Sequence, residues 1–175
     1  MDEALAILIL EDRKADMELT RRAVLKAYPN ATFTHALNRE EYLDKLDWIT
    51  YDAVLADYNL PGYNGLEALL HLRQAKPFTP FIFVTGTLDD EESAANAILQ
   101  GANGYVLKHN LKHLPNQLAA AIKWGREQAQ EQEKRSKQLA SKTLKLQKLA
   151  GLLESAPDFP QKTAAVGILA ELIES

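Results

Sequence analysis

"YDAVLADYNLPGYNG", residues 51–65, changes character at Asp57. Before it stands the apolar run "AVLA" (53–56), and after it a segment punctuated by Pro61, Gly62 and Gly65. A short apolar run bounded by turn signals reads as a strand buried on both faces. Closing such a strand on a carboxylate is costly unless the charge meets a partner. Taken alone, Asp57 is a turn former. Whether it is more depends on how the other strands end.

Four more apolar runs lie outward from it: "AILIL" (6–10), "TFTHA" (32–36), "FIFVT" (81–85) and "YVLK" (105–108). Between them run segments of helical spacing, with Leu66, Leu69, Leu70 and Leu72 in one and Ala94, Ala95, Ile98 and Leu99 in another. Strands alternating with helices imply an α/β fold, a parallel sheet with helices on both faces. "HLPNQLAAAIKWG" (113–125) reads as the last helix of this domain. From Arg126 to Gln138 the only apolar residue is Ala129, so that stretch is an exposed helix or a linker. Leu139, Leu146, Leu149 and Leu153 then form a partial coiled-coil seam broken by Lys142. After Pro157 and Pro160, Ala165, Ile168, Leu169 and Leu172 make a second stripe. The expected organisation is a domain over 1–125, an extended polar or amphipathic helix or linker over 126–156, and a short helix over 157–175. The C-terminal extension is expected to form a helical hairpin or a homodimer.

Composition narrows the function classes. The chain has 175 residues, 46% hydrophobic and 25% charged, which suits a soluble globular protein with a sizeable core. Without cysteine, thiol nucleophiles, thiolate metal sites and disulfides are excluded. The N-terminus lacks a basic region and no apolar run is long enough to cross a bilayer, so a cytoplasmic protein with no membrane partner is expected. Residues 1–125 carry 12 Lys/Arg against 17 Asp/Glu, while 126–148 carry 7 against 3. An acidic domain followed by a lysine-scattered, aromatic-poor segment gives little support to a DNA-binding function.

Ligands of open parallel sheets bind at the carboxyl ends of the strands, and there every inventory is polar. The first strand runs into Glu11 and Asp12, the third into Asp57, the fourth ends in Thr85, and the fifth in Lys108. Each residue has an ordinary reading as a cap, a turn or a solvated charge. Together they would place three repelling acids on one edge by coincidence. A cation resolves the crowding, and Mg²⁺ suits hard oxygen ligands. With it, Asp57 could attack a phosphoryl group, Lys108 and Thr85 holding the phosphoryl oxygens. His35, His71, His109 and His113 show no ligand or phosphotransfer motif, and no Gly-rich nucleotide loop is present.

Over about residues 5–125 the chain resembles the receiver domain of two-component response regulators. The resemblance rests on "ED" (11–12), "DYNLPGYNG" (57–65), "VTGT" (84–87) and "GANGYVLK" (101–108). It implies a flavodoxin-like five-stranded sheet of order 2-1-3-4-5. It implies that Asp57 is the phosphoacceptor, Asp12 a direct Mg²⁺ ligand, Glu11 its helper and the Asn59 backbone carbonyl a further ligand. Thr85 would be the switch hydroxyl, Lys108 the counter-ion and Tyr105 the switch aromatic; from the residues alone, Tyr105 reads as core. The phosphoryl group would come from a histidine kinase or a histidine phosphotransfer protein, to drive a phosphorylation-dependent signalling switch with no enzymatic activity beyond its own phosphorylation chemistry. The order of receiver, polar helix and "LLESAPD" (152–158) also resembles N-terminal receivers of multidomain sensor proteins. The competing class is an Asp-nucleophile, Mg²⁺-dependent phosphatase or phosphotransferase acting on small substrates. Such hydrolases usually place a second acid two residues after the nucleophile, and that position here is Asn59, which cannot move a proton in that way.

Overall fold

The computed structural model describes residues 4–86 and 96–174. In chain order they form β1 (Ala6–Leu10), α1 (Lys14–Leu25), β2 (Thr32–Ala36), α2 (Arg39–Trp48), β3 (Ala53–Ala56), β4 (Asn59–Leu60), β5 (Tyr63–Asn64) and α3 (Gly65–Ala75). There follow β6 (Phe81–Thr85), β7 (Gly104–Leu107), a 3₁₀ segment Lys108–His113, α4 (Leu114–Ser155) and α5 (Lys162–Glu174). Residues 96–99 are also helical.

Five strands make one sheet in the order β2-β1-β3-β6-β7, every pairing parallel. This is the 2-1-3-4-5 arrangement expected. The chain turns to one side after β1 and returns to β1's other side with β3, so the strand order reverses between them. The crevice of an open sheet lies at that reversal, outside the carboxyl ends. Glu11, Asp12 and Asp57 follow those two strands directly.

Alternate strand residues face opposite layers. Leu8, Leu10, Val54, Phe81 and Phe83 bury with Tyr42, Leu69 and Leu72 from α2 and α3. Ile7, Ile9, Leu55, Ile82 and Val84 bury with Val24, Leu114, Leu118 and Ile122 from α1 and α4. Burial on both faces explains the continuous apolar runs at 6–10, 53–56 and 81–84.

Several expectations shift in detail. The last strand ends at Leu107, so Lys108 opens the 3₁₀ segment instead of closing the strand. Leu70 of α3 is exposed, because Ala68, Leu69 and Leu72 already fill the face toward the sheet. Ile98 and Leu99 are exposed and Ala97 is buried in their place; Ala94 and Ala95 lie outside the described residues. The turn after Asp57 contains a two-strand antiparallel ladder, β4 with β5, which the apolar pattern did not signal.

The chain divides into two compact units, Met1–Gln128 and Ala129–Ser175. In the first, α4 buries Leu114, Leu118, Ala121, Ile122 and Gly125. The stretch 126–138 is helical and exposed throughout. Its helicity follows from residue propensity and from pairs one turn apart, Glu131 with Arg135 at 3.1 Å and Glu133 with Lys137 at 2.5 Å. In the second unit Leu169 is buried, while Leu139, Leu149, Ile168 and Leu172 are exposed. The stripe read on 163–173 is therefore split, only Leu169 of its leucines facing inward. The Lys162 ammonium donates to the carbonyls of Glu154 (2.9 Å) and Ala156 (2.6 Å), satisfying the frayed end of α4. No described helix is long and apolar enough to cross a membrane.

Candidate functional site

Backbone pairing brings the acids together before any side chain acts. The Asp57 N–H donates to the Leu10 carbonyl at 2.9 Å, and the Glu11 N–H to the Ala36 carbonyl at 3.0 Å. Each strand end is thus pinned to its neighbour, and the two carboxylates share one rim. Asp57 Oδ1 accepts the Asn59 N–H at 3.3 Å, the short-range turn bond that Asp favours. The turn reading of Asp57 holds, alongside the placement of its other oxygen in the crevice.

That other oxygen, Oδ2, lies 2.7 Å from the Lys108 ammonium, which also reaches Glu11 Oε2 at 2.6 Å and Asp16 Oδ2 at 2.9 Å. Beside this lysine is an open depression of about 390 Å³ whose wall includes Asp12, Asp57, Asn59, Thr85 and Lys108. Thr85 is the last residue of β6 and is buried. The structure thus gathers every residue read from the strand ends, with Glu11 beneath them. Tyr105 stands apart from the depression. Its ring packs on Phe83 with centroids 6.2 Å apart, and Phe83 packs on Tyr58, next to Asp57, at 5.3 Å. The Tyr105 backbone is gripped by the Gln117 side chain of α4: Oε1 accepts its N–H and Nε2 donates to its carbonyl, each at 3.1 Å.

Glu11, Asp12 and Asp57 can each present an oxygen within 4.8 Å of the others. This donor set, all carboxylate and without sulfur or imidazole, fits Mg²⁺. Burial foremost pushes Glu11 up to about 7; the Lys108 hydrogen bond and charge pull it back, and the Asp57 charge adds to the rise. For Lys108, burial pulls downward but hydrogen bonds to Asp57, Glu11 and Asp16 outweigh it, and the net shift is upward. The lysine is a fixed cation, and Glu11 is the acid that titrates near neutrality.

The loop after Asp57 is shaped for this rim. Pro61 precedes Gly62, whose φ of 68° lies in the left-handed region that glycine tolerates. Asn64 then caps α3, its Oδ1 accepting the Glu67 N–H at 2.8 Å.

Two residues escaped the reading of strand ends. Asp16 carries a sequence signal, an acid in the first turn after "ED", but acids are favoured there for the helix dipole alone. Gln117 carries none. Of the histidines, the His35 ring nitrogen Nε2 lies 2.7 Å from the Glu11 carbonyl, and His71 Nδ1 lies 3.0 Å from the Tyr63 hydroxyl. Neither joins the carboxylate cluster.

Residues 7–123 match the family model for the response regulator receiver domain. The chain belongs to that family, the receiver domains of two-component response regulators. The nitrate/nitrite response regulator protein NarL of Escherichia coli is 31% identical over 106 residues, covering 61% of this chain and 49% of that protein. A protein-glutamate methylesterase/protein-glutamine glutaminase of Paramagnetospirillum magneticum is 31% identical over 110 residues, 62% of this chain and 31% of that protein. The chain thus matches half or less of the length of these relatives. Among solved structures, response regulator TrrA of Thermotoga maritima, in complex with Mg²⁺ and beryllium fluoride, superposes with a TM-score of 0.58 at 25% identity. That match covers 69% of this chain and 99% of TrrA.

Proposed function

We propose that this chain is a phosphorylation-dependent signalling switch in which Asp57 accepts a phosphoryl group. The observation that carries the reading is the Lys108 ammonium 2.7 Å from Asp57 Oδ2, at a rim where Glu11 and Asp12 supply further oxygens. An Asp57 oxygen attacks the phosphorus of a phosphohistidine on a histidine kinase or phosphotransfer protein, or of a small acyl phosphate. The bond from phosphorus to the leaving nitrogen or oxygen breaks, its electron pair departing with the leaving group, and an acyl phosphate forms. A carboxylate nucleophile carries no proton, so no general base is needed. Positioning and charge supply the catalysis.

Asp12 and Asp57 would hold Mg²⁺ directly, with Glu11 as helper and the Asn59 carbonyl as a further ligand. The bound ion would offset repulsion between the carboxylate and the incoming anion. Lys108 and Thr85 would take phosphoryl oxygens, and Tyr105, linked to Asp57's neighbour through Phe83, would report the change at the surface. The chain acts as a regulator and not as an enzyme in its own right. The presence of Asn59 where a phosphatase would carry its second acid disfavours steady hydrolysis of small substrates. Leu139, Leu149, Ile168 and Leu172, exposed on the C-terminal helices, support a homodimer through that region.

The test is incubation with Mg²⁺ and acetyl phosphate followed by intact-mass measurement. One phosphoryl group should add to the native chain and none to Asp57→Asn. Equal labelling of both would refute the assignment.

A further inference from the structure

The Lys108 ammonium has three N–H donors, and three carboxylates claim them: Glu11 at 2.6 Å, Asp57 at 2.7 Å and Asp16 at 2.9 Å. Two of these acids belong to the oxygen cluster formed with Asp12; Asp16 does not. Asp16 stands in the first turn of α1 with its side chain 14% exposed. Its other cationic contact, Arg13 at 3.4 Å, is 71% exposed and well screened. Asp16 therefore spends its charge mainly on Lys108, from the α1 side.

We propose that Asp16 is a positioning residue that competes for Lys108 and thereby weakens the hold of the Asp57 site on a phosphoryl group. The inference rests on the reading of Asp57 as phosphoacceptor. A phosphoryl group on Asp57 needs a Lys108 N–H, and each of the three is engaged. The N–H now given to Asp57 reaches the new oxygens only as the ammonium moves toward them, and a carboxylate 2.9 Å away on the α1 side resists that movement. It also adds a like charge beside an incoming anion. Screened by the water that enters the open depression, this amounts to roughly fivefold in affinity. The ordinary account of Asp16, a first-turn acid stabilising α1, predicts an effect on folding and none on anion binding.

The test measures beryllofluoride affinity at saturating Mg²⁺, from the amide shifts of Thr85 and Gly86, together with urea midpoints. Asp16→Asn keeps the shape and removes the charge, and it should bind beryllofluoride about fivefold more tightly than the native chain. Asp16→Glu should restore native affinity. Asp16→Ser should reproduce the tightening should the Asn variant fold poorly. Unchanged or weaker binding in the neutral variants, with or without a lower urea midpoint, would overturn the proposal. A native chain that binds no beryllofluoride would refute the phosphoacceptor reading itself and the inference with it.

Discussion

Gly65 lies against the backbone of Asp57: a Cβ at residue 65 would stand 2.5 Å from the Asp57 carbonyl oxygen and 2.7 Å from the Phe83 ring. The glycine is required by this close approach, since its own φ is ordinary. Gly65→Ala must push α3 away from β3 or move Asp57. Overpacking of this kind should cost about 2 kcal/mol in urea denaturation, and phosphorylation of Asp57 should slow. An unchanged urea midpoint would show that the contact relaxes freely.

Lys108 holds Glu11 and Asp57, two of the three acids whose oxygens could gather about a divalent cation. Lys108→Met should bind Mg²⁺ more tightly than the native chain, on the order of tenfold by calorimetry, because the resident cation has gone. Without metal the variant should lose about 2 kcal/mol, less than a fully buried pair because the depression is open to water. Weaker Mg²⁺ binding would mean that Lys108 orders the acids more than it competes with the ion.

Glu11 sets a pH dependence. Its ordinary value is 4.5 and burial in the fold raises it to about 7, so between those values the folded chain holds a proton that the unfolded chain has released. The stabilisation from this group is complete below pH 4.5 and is lost as pH rises through about 7. Without metal, the stability of the native chain relative to Glu11→Gln should fall across that window. Mg²⁺ affinity should rise through it as the proton leaves. Parallel stability curves for the two proteins would contradict the assignment.

The residues of α4 that bury in the first unit end at Gly125. A chain cut after Gln128 should keep the native urea midpoint and bind beryllofluoride unchanged. If the C-terminal helices dimerise, light scattering should show the cut chain as a monomer and the full chain as a dimer. Equal oligomeric state for both would place any interface elsewhere.

The sheet and most of the site were legible because both rest on local signals. Uninterrupted runs such as "AILIL" and "FIFVT" exist because both faces of each strand are covered, and polar residues that end several of them at one edge stand out against that background. The packing of Tyr105 and the pairing of Asp16 with Lys108 were not legible. The first depends on Phe83 of β6 and Gln117 of α4, the second on how α1 meets the 3₁₀ segment after β7, and one-dimensional spacing encodes neither contact. The reach of α4 was ambiguous for another reason. An exposed polar helix carries no apolar stripe, so residues 126–138 differ from a linker only by propensity and by charge pairs one turn apart.

The grip of Gln117 on Tyr105 bears on how the sheet stops. β7 is the last strand in the order, and an edge strand offers its outer N–H and C=O groups to any chain that arrives. At Tyr105 both groups are already taken by a primary amide, which presents the same donor and acceptor as a peptide bond. The side chain stands in for one residue of a sixth strand. At that point β7 has no free backbone groups to offer another strand, and a chain pairing along this edge would first have to break both bonds of the Gln117 amide.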